Sequence, residues 1–361
     1  MADEINWLVI EKLAMQVTKS GESPGSYPFV EWKQISSALI NLQEAKDWCG
    51  IIRLHELFSG LYARDSAWGI PEIQSLDIEA IDAARKLGDF AELGHLLGAR
   101  GHNLHRQGYH KQAINVFNES SINYLKIGKQ FDALKSIYMT SLCYRAIGDR
   151  TMARTILMNV LKCIEDDDPW RGNPIQVLAW LAQDEGKLPL AEKLLRKALD
   201  FHKQATNSDI LIVGALADLG EVIGLQGRYS EAIEYFENSL IMLDKYHGQY
   251  DRQEARTRLK YAQLLMRMRN FDSAINLLGE ADNLASGYGH YYDLMWQIEL
   301  THCLIFAKKG QFRNSYLKAQ MAMRYRHILG LSSWLLMKQL LTYFLEGNRL
   351  INKITNIILI T

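Results

Sequence analysis

Three histidines, His95, His102 and His105, stand seven and three residues apart. In a helix that spacing puts them on one face, where they could ligate a metal ion. Helical zinc pairs more often use an i,i+4 spacing, and no cysteine or carboxylate lies beside them in sequence. The pattern fits a polar helix face better, and no metal or other cofactor is expected. Glu165, Asp166, Asp167 and Asp168 form an acidic run that could hold a divalent cation. The run lacks the alternating ligand positions of a calcium loop and Pro169 follows at once, so it reads as a solvated loop. Between Glu299 and Glu346 there is no acid, whereas Lys308, Lys309, Arg313, Lys318, Arg324, Arg326 and Lys338 are basic. Phe312, Tyr316, Tyr325 and Trp334 are interleaved with them, a mixture that can bind single-stranded nucleic acid or an acidic protein surface. These aromatics fall where helix packing needs them, which favours a solvated basic face and makes nucleic acid an unfavoured partner.

The motifs of common catalytic sites are missing or out of place. The chain contains no GxxxxGK[ST] or HExxH and no GxGxxG following a strand, and its one GxSxG, Gly21 to Gly25, lies in a Gly/Pro segment between two helical patterns and follows no strand. Without a Gly-rich loop to orient phosphates, neither ATP nor GTP hydrolysis is expected, and the chain reads as non-enzymatic. Cys49, Cys143, Cys163 and Cys303 show no CxxC spacing and are expected to be buried, reduced thiols. Asp3 and Glu4 stand where a secretory leader would be basic, and no apolar run reaches the ~18 residues of a membrane span. A cytoplasmic protein is therefore expected.

The elements that must carry these residues are helices. Of 361 residues, 48% are apolar and 23% charged, which excludes wholesale disorder. Lys plus Arg and Asp plus Glu both number 41, so any electrostatic attraction must come from local asymmetry. Pro71, Pro174 and Pro189 precede helical patterns, where a proline near the first position costs no hydrogen bond. Alternating β-branched runs are absent, so the chain is read as all-α.

One phrase recurs: GYHKQA at Gly108, GDRTMA at Gly148, GKLPLA at Gly186, GRYSEA at Gly227, RNFDSA at Arg269 and GQFRNS at Gly310, at intervals of 40, 38, 41, 42 and 41 residues. Five residues after each turn comes Ala113, Ala153, Ala191, Ala232, Ala274 or Ser315, and four further on Phe117, Leu157, Leu195, Phe236, Leu278 or Ala319. Seven before the turn sits Gly101, Ser141, Ala179, Gly220, Ala262 or Cys303. Antiparallel helices approach closely only where facing residues are small, and a bulky knob then fills the gap beside them. One such pair cannot bury both of its faces, so the copies must stack.

The stretch ALADLGEVIGLQGRYSEAIEYFENSL, Ala215 to Leu240, resembles a tetratricopeptide repeat at Leu219, Gly220, Gly227, Tyr229, Ala232 and Phe236. The copies exceed the usual 34-residue form, and the family's closing proline is replaced by residues such as Leu125 and Asp244. In this they resemble the C-terminal arrays of bacterial STAND-type ATPase regulators, to which Ala80 to Ile114 is especially similar. The resemblance implies a right-handed α-solenoid of about six to seven helix pairs, each of ~40 residues. The expected organisation is an N-terminal helical cap over 1–42, a degenerate first pair over 43–93 turning at Trp68-Gly69-Ile70, six repeats over 94–330, and a C-terminal helix and tail over 331–361.

The resemblance also implies that the first helix of each pair lines a concave groove. On the family's lining positions stand His95, Gly98, His102, His105 and Arg106 in the first full repeat and Lys135, Tyr138, Leu142, Arg145 and Ala146 in the second. Asn173, Gln176, Trp180, Gln183 and Asp184 follow in the third, and Gly214, Ala217, Glu221, Gly224 and Leu225 in the fourth. The fifth offers Arg256, Leu259, Gln263, Met266 and Arg267. Arg106, Lys135 and Arg145 with the three histidines suit an acidic segment, and His102 and His105 should gain charge as pH falls toward ~6.5. Trp180 and Tyr138 are candidate aromatic anchors. The implied function is a scaffold for a protein or peptide partner. A peptide-responsive regulator, resembling the bacterial pheromone receptors, is the alternative, and nucleic-acid binding through the basic C-terminal face comes third.

Overall fold

The structure, a computed structural model, describes residues 7–19, 29–58, 71–206, 208–246, 250–286 and 291–329. The expected Trp68-Gly69-Ile70 turn, Trp334, Lys338 and the whole of 331–361 lie outside the described residues. Helices α1 (Trp7–Lys19), α2 (Phe29–Ala45), α3 (Trp48–Leu57) and α4 (Pro71–Leu87) open the chain. Six pairs follow: α5 (Phe90–Arg106) with α6 (His110–Lys126), α7 (Gln130–Ala146) with α8 (Arg150–Lys162), and α9 (Gly172–Asp184) with α10 (Leu188–Gln204). The last three are α11 (Asp209–Leu225) with α12 (Tyr229–Asp244), α13 (Asp251–Arg267) with α14 (Phe271–Ser286), and α15 (Tyr292–Lys308) with α16 (Phe312–Ile328). No strand occurs among the described residues. The chain is the expected right-handed α-solenoid.

The turns within the six pairs have the same construction. The five repeat-turn glycines, Gly108, Gly148, Gly186, Gly227 and Gly310, are left-handed, as are Gly88 and Gly128 between pairs, with φ from 68° to 90°. The next N–H reaches back five residues, as from Tyr109 to the Leu104 carbonyl at 2.8 Å and from Gln311 to that of Phe306 at 2.8 Å. Arg269 adopts the same conformation at φ 63° without being glycine, and Asn270 completes the bond to Leu265 at 2.9 Å. Where aspartate follows the glycine it also caps the next helix: Asp89 accepts from the Ala91 and Glu92 amides, and Asp149 from that of Met152.

The repeated small residues meet their knobs as expected. Ala113, Ala153, Ala191, Ala232 and Ala274 are fully buried, as are Phe117, Leu157, Leu195, Phe236 and Leu278. The series ends in the last pair, where Ala319 is only half-buried. A methyl group added to Gly101 would stand 2.7 to 2.9 Å from three ring carbons of the buried Phe117. Gly101→Ala is therefore expected to cost ~1–3 kcal/mol by overpacking α5 against α6. An unchanged denaturant midpoint would show that the two helices have room to spare.

First helices pack on one another along the inner wall, α5 on α7, α7 on α9, α11 on α13 and α13 on α15. The apolar core is correspondingly divided along the chain, one cluster running from Ile10 to Leu97 and another from Ala255 to Ile305. Buried Asp77 joins the opening helices, reached by Arg100 at 2.9 Å and His55 at 3.5 Å. The superhelix also curls back on itself. The carbonyl oxygen of Leu329, after α16, lies 2.7 Å from where a side chain on Gly108 would begin. Gly108 is thus required twice, by its φ of 85° and by this approach.

Several surface expectations are corrected. Cys143 and Cys303 are buried, but Cys49 and Cys163 are exposed. Phe312 and Tyr316 do not pack inward; they are 72% and 62% exposed on α16. The basic stretch is not one solvated face. Arg326 is only 2% exposed and stacks over Trp296, while Lys309 pairs with Asp272 and Lys318 with Glu299. The acidic run, by contrast, is the expected exposed loop over 165–167, in which Asp166 pairs with Arg171 while Asp168 caps the short 3-10 turn Pro169–Arg171.

Candidate groove and its buried network

The first helices of all six repeats surround one cavity of about 740 Å³. Its walls carry His105 and Arg106 from α5, Arg145 from α7, Trp180, Gln183 and Asp184 from α9, and Ile210 and Glu221 from α11. From α13 come Asp251, Arg252, Gln253, Arg256, Leu259, Lys260 and Gln263, and from α15 Asp293, Leu294 and Gln297, with Tyr250 and Tyr291 at the helix entries. Residues of the first repeat therefore face those of the fifth and sixth across the space.

The organising centre lies under the floor. Asp218 on α11 is fully buried. Its Oδ2 accepts hydrogen bonds from Gln176 Nε2 and Trp180 Nε1, both at 2.7 Å. Its Oδ1 accepts from Arg256 at 3.0 Å and Lys260 at 2.5 Å. Burial alone would raise the pKa of this carboxyl, but Lys260 and Arg256 hold it well below the usual carboxylate range. Gln176 also contacts buried His202 at 3.1 Å, and burial pushes that imidazole down to about 4. Lys260 continues the chain to Glu221, which accepts from Gln183 at 2.9 Å. Trp180 is flanked by two guanidiniums, Arg145 at 5.3 Å and Arg256 at 5.4 Å from its ring centre. Arg145 grips Asp184 with two hydrogen bonds of 2.7 and 3.1 Å, and Arg252 bonds Asp293 at 2.6 Å.

Of the residues expected in the groove, His105, Arg106, Arg145, Trp180, Gln183, Arg256 and Gln263 line this cavity, with Asp184, Glu221 and Leu259. His95, His102 and Arg267 are exposed and do not. Lys135 is exposed and pairs with Asp132 at 3.2 Å. Tyr138 packs edge-on against Trp170, and Gln176 lies beneath the floor. Gly214, Ala217, Gly224 and Met266 belong to the core, because α13 closes over α11 in the middle of the array.

The expected cationic field is also corrected. The lining holds five cations, Arg106, Arg145, Arg252, Arg256 and Lys260, against four carboxylates, Asp184, Glu221, Asp251 and Asp293. With Asp218 beneath, the site is close to neutral. His105 does not add charge near ~6.5 as expected of an exposed imidazole. Burial, then the neighbouring His110, holds His105 down at about 3. Nor do His95, His102 and His105 form one cluster. Among the described residues, the group able to share an ion is His105, His110 and Cys143.

Asp218, Lys260 and Arg252 escape the family's lining positions, yet the repeat length points to them. Trp180 and Asp218 are 38 residues apart, Lys260 and Asp218 42, Arg252 and Asp293 41, and Arg145 and Asp184 39. Polar partners one repeat apart on successive first helices are the signal that finds them.

Residues 212–284 match the tetratricopeptide repeat family. No curated protein matches the chain. Among solved structures, NprR in complex with its cognate peptide NprX is similar over 86% of this chain and 94% of its own, at 17% identity and a TM-score of 0.55. The Rap conjugation gene regulator of the plasmid pLS20, in complex with the Phr* peptide, covers 90% of this chain and 95% of its own at 13% identity and a TM-score of 0.55. The apo form of RapI covers 70% and 93% at 14% identity and a TM-score of 0.52. At these identities the likeness is one of fold, a tetratricopeptide-type solenoid.

Proposed function

We propose that this tetratricopeptide-type solenoid is a non-catalytic scaffold whose groove receives an extended peptide segment of a partner. The observation that carries the reading is the cavity of about 740 Å³ walled by polar side chains from the first helices of all six repeats. A peptide laid along it meets a guanidinium-flanked Trp180 and donors with unused N–H groups, since Arg145 spends two of its five on Asp184. The near-neutral lining narrows the expected acidic partner. A peptide of mixed polarity fits, with one carboxylate able to take the place of Asp184 on Arg145.

A regulatory version of the same reading has its own support. The NprR structure and the pLS20 Rap structure named above were solved with peptides, and this chain shares their fold. Here the groove spans both ends of a superhelix that closes at Gly108 and Leu329, so an occupant would act on that closure. Nucleic-acid binding through the C-terminal face loses ground, because Arg326 is buried and Lys309 and Lys318 are paired.

A displayed library of random peptides panned on the wild-type chain tests the proposal. Enriched peptides should bind Arg145→Glu at least about tenfold more weakly, or about 1.4 kcal/mol. The exposed Arg150→Glu, outside the groove, should bind them as the wild type does. Peptides that bind all three proteins equally would sink the groove assignment.

A further inference from the structure

One side-chain cluster lies at the groove wall but serves no part of the peptide reading, and the inference from it does not depend on that reading. His105 ends α5, His110 opens α6, and Cys143 projects from α7. Nδ1 of His105 lies 3.2 Å from Nδ1 of His110 and 3.4 Å from Sγ of Cys143. All three donor atoms lie within 4.8 Å of one another. The thiol is fully buried, whereas both rings are half-buried and His105 also lines the cavity, which provides an entry path.

We propose that His105, His110 and Cys143 form a three-ligand site for a soft d10 metal ion, and that Cu(I) is the ion matching its charge. The spacing suits a metal at the centre. Metal–nitrogen bonds of ~2.05 Å and a metal–sulfur bond of ~2.3 Å set donor–donor edges of about 3.6 and 3.8 Å in a three-coordinate plane, and about 3.3 and 3.6 Å at the tetrahedral angle a fourth ligand would impose. The two observed edges, 3.2 and 3.4 Å, already approach those values. Thiolate with imidazole is the donor set that soft ions prefer. On binding, a metal–sulfur bond replaces the S–H bond and the proton passes to solvent, while each imidazole coordinates through Nδ1 and keeps its proton on Nε2. Arg106 and Arg252 face His105. A monovalent ion on the thiolate adds no net charge beside those arginines, whereas Zn(II) adds one. A bound ion would tie α5, α6 and α7 together at the turn where the superhelix closes.

The test is anaerobic titration of the full chain with Cu(I) held by a chromophoric chelator, and in parallel with Zn(II) held by another. The expected result is one equivalent of Cu(I) per chain, with X-ray absorption reporting one sulfur and two nitrogen neighbours. Cys143→Ser and His110→Gln should each weaken uptake at least about 100-fold. Cys49→Ser and Cys163→Ser, which remove the exposed thiols, should leave it unchanged. The His110 variant keeps the test informative if the buried Cys143 cannot be replaced without unfolding. Absence of saturable uptake of both ions, or loss only with Cys49 or Cys163, overturns the site. Uptake of Zn(II) but not Cu(I) overturns the Cu(I) assignment.

Discussion

Asp218→Ala is expected to lose about 3–5 kcal/mol of stability, the usual consequence of removing one partner from a buried ion pair. Four donors converge on this carboxylate, two of them cationic. Removing it leaves Arg256 and Lys260 side by side with only Glu221 to compensate Lys260. Trp180 Nε1 and Gln176 Nε2 lose an acceptor in a place water reaches poorly, which adds a desolvation cost. Asp218→Asn keeps the shape and part of the hydrogen bonding, so it should cost less. The double variant Asp218→Ala with Lys260→Met should recover part of the loss by removing the stranded charge. Denaturant melts of the four proteins check this ordering. A midpoint for Asp218→Ala within error of wild type would mean that the network does not hold repeats three, four and five together. Because the folded pKa lies below the unfolded value of about 3.9, this contribution is complete above that pH and is lost only in stronger acid.

Mild acid should act through other groups. Burial pushes His202 and His302 down to about 4, with Asp218 opposing the shift at His202 and Lys318 adding to it at His302. In the unfolded chain an imidazole takes up its proton near ~6.5. Between those values the unfolded state binds more protons, so stability rises with pH. Lowering the pH from 7 to 5 should remove about 2 kcal/mol for each of these two histidines, a loss that levels off below about 4. Urea melts at the two pH values measure it directly. In a His202→Gln, His302→Gln variant the difference should shrink by about 4 kcal/mol. An identical pH dependence in the two proteins would assign the acid sensitivity elsewhere.

The sequence revealed the scaffold far better than the site. Gly101 and Phe117, or Gly220 and Phe236, recur because each repeat solves the same local problem of bringing two helices together. That problem repeats, so its solution is visible as periodicity. The groove chemistry is not repeated. Asp218 sits one residue beyond a family lining position, inside the most apolar of the first helices, and depends on residues from the two neighbouring repeats. Family positions selected Arg145 and Trp180 but carried no information that Asp184 and Asp218 would already hold them. Arg326 shows the same limit. Its basic character suggested a solvent face, whereas the ring of Trp296 covers it. Composition reports which charges exist, and only packing decides which of them are spent.

The contact between Gly108 and Leu329 bears on how such a chain can change in evolution. An open array tolerates duplication or deletion of a whole unit, since each unit touches only its neighbours. Here the end of the sixth pair must arrive beside the turn of the first, so one unit more or fewer would carry Leu329 past Gly108 or leave it short. Copy number is thereby locked. A unit gained or lost is therefore expected to break this approach between the first and sixth pairs.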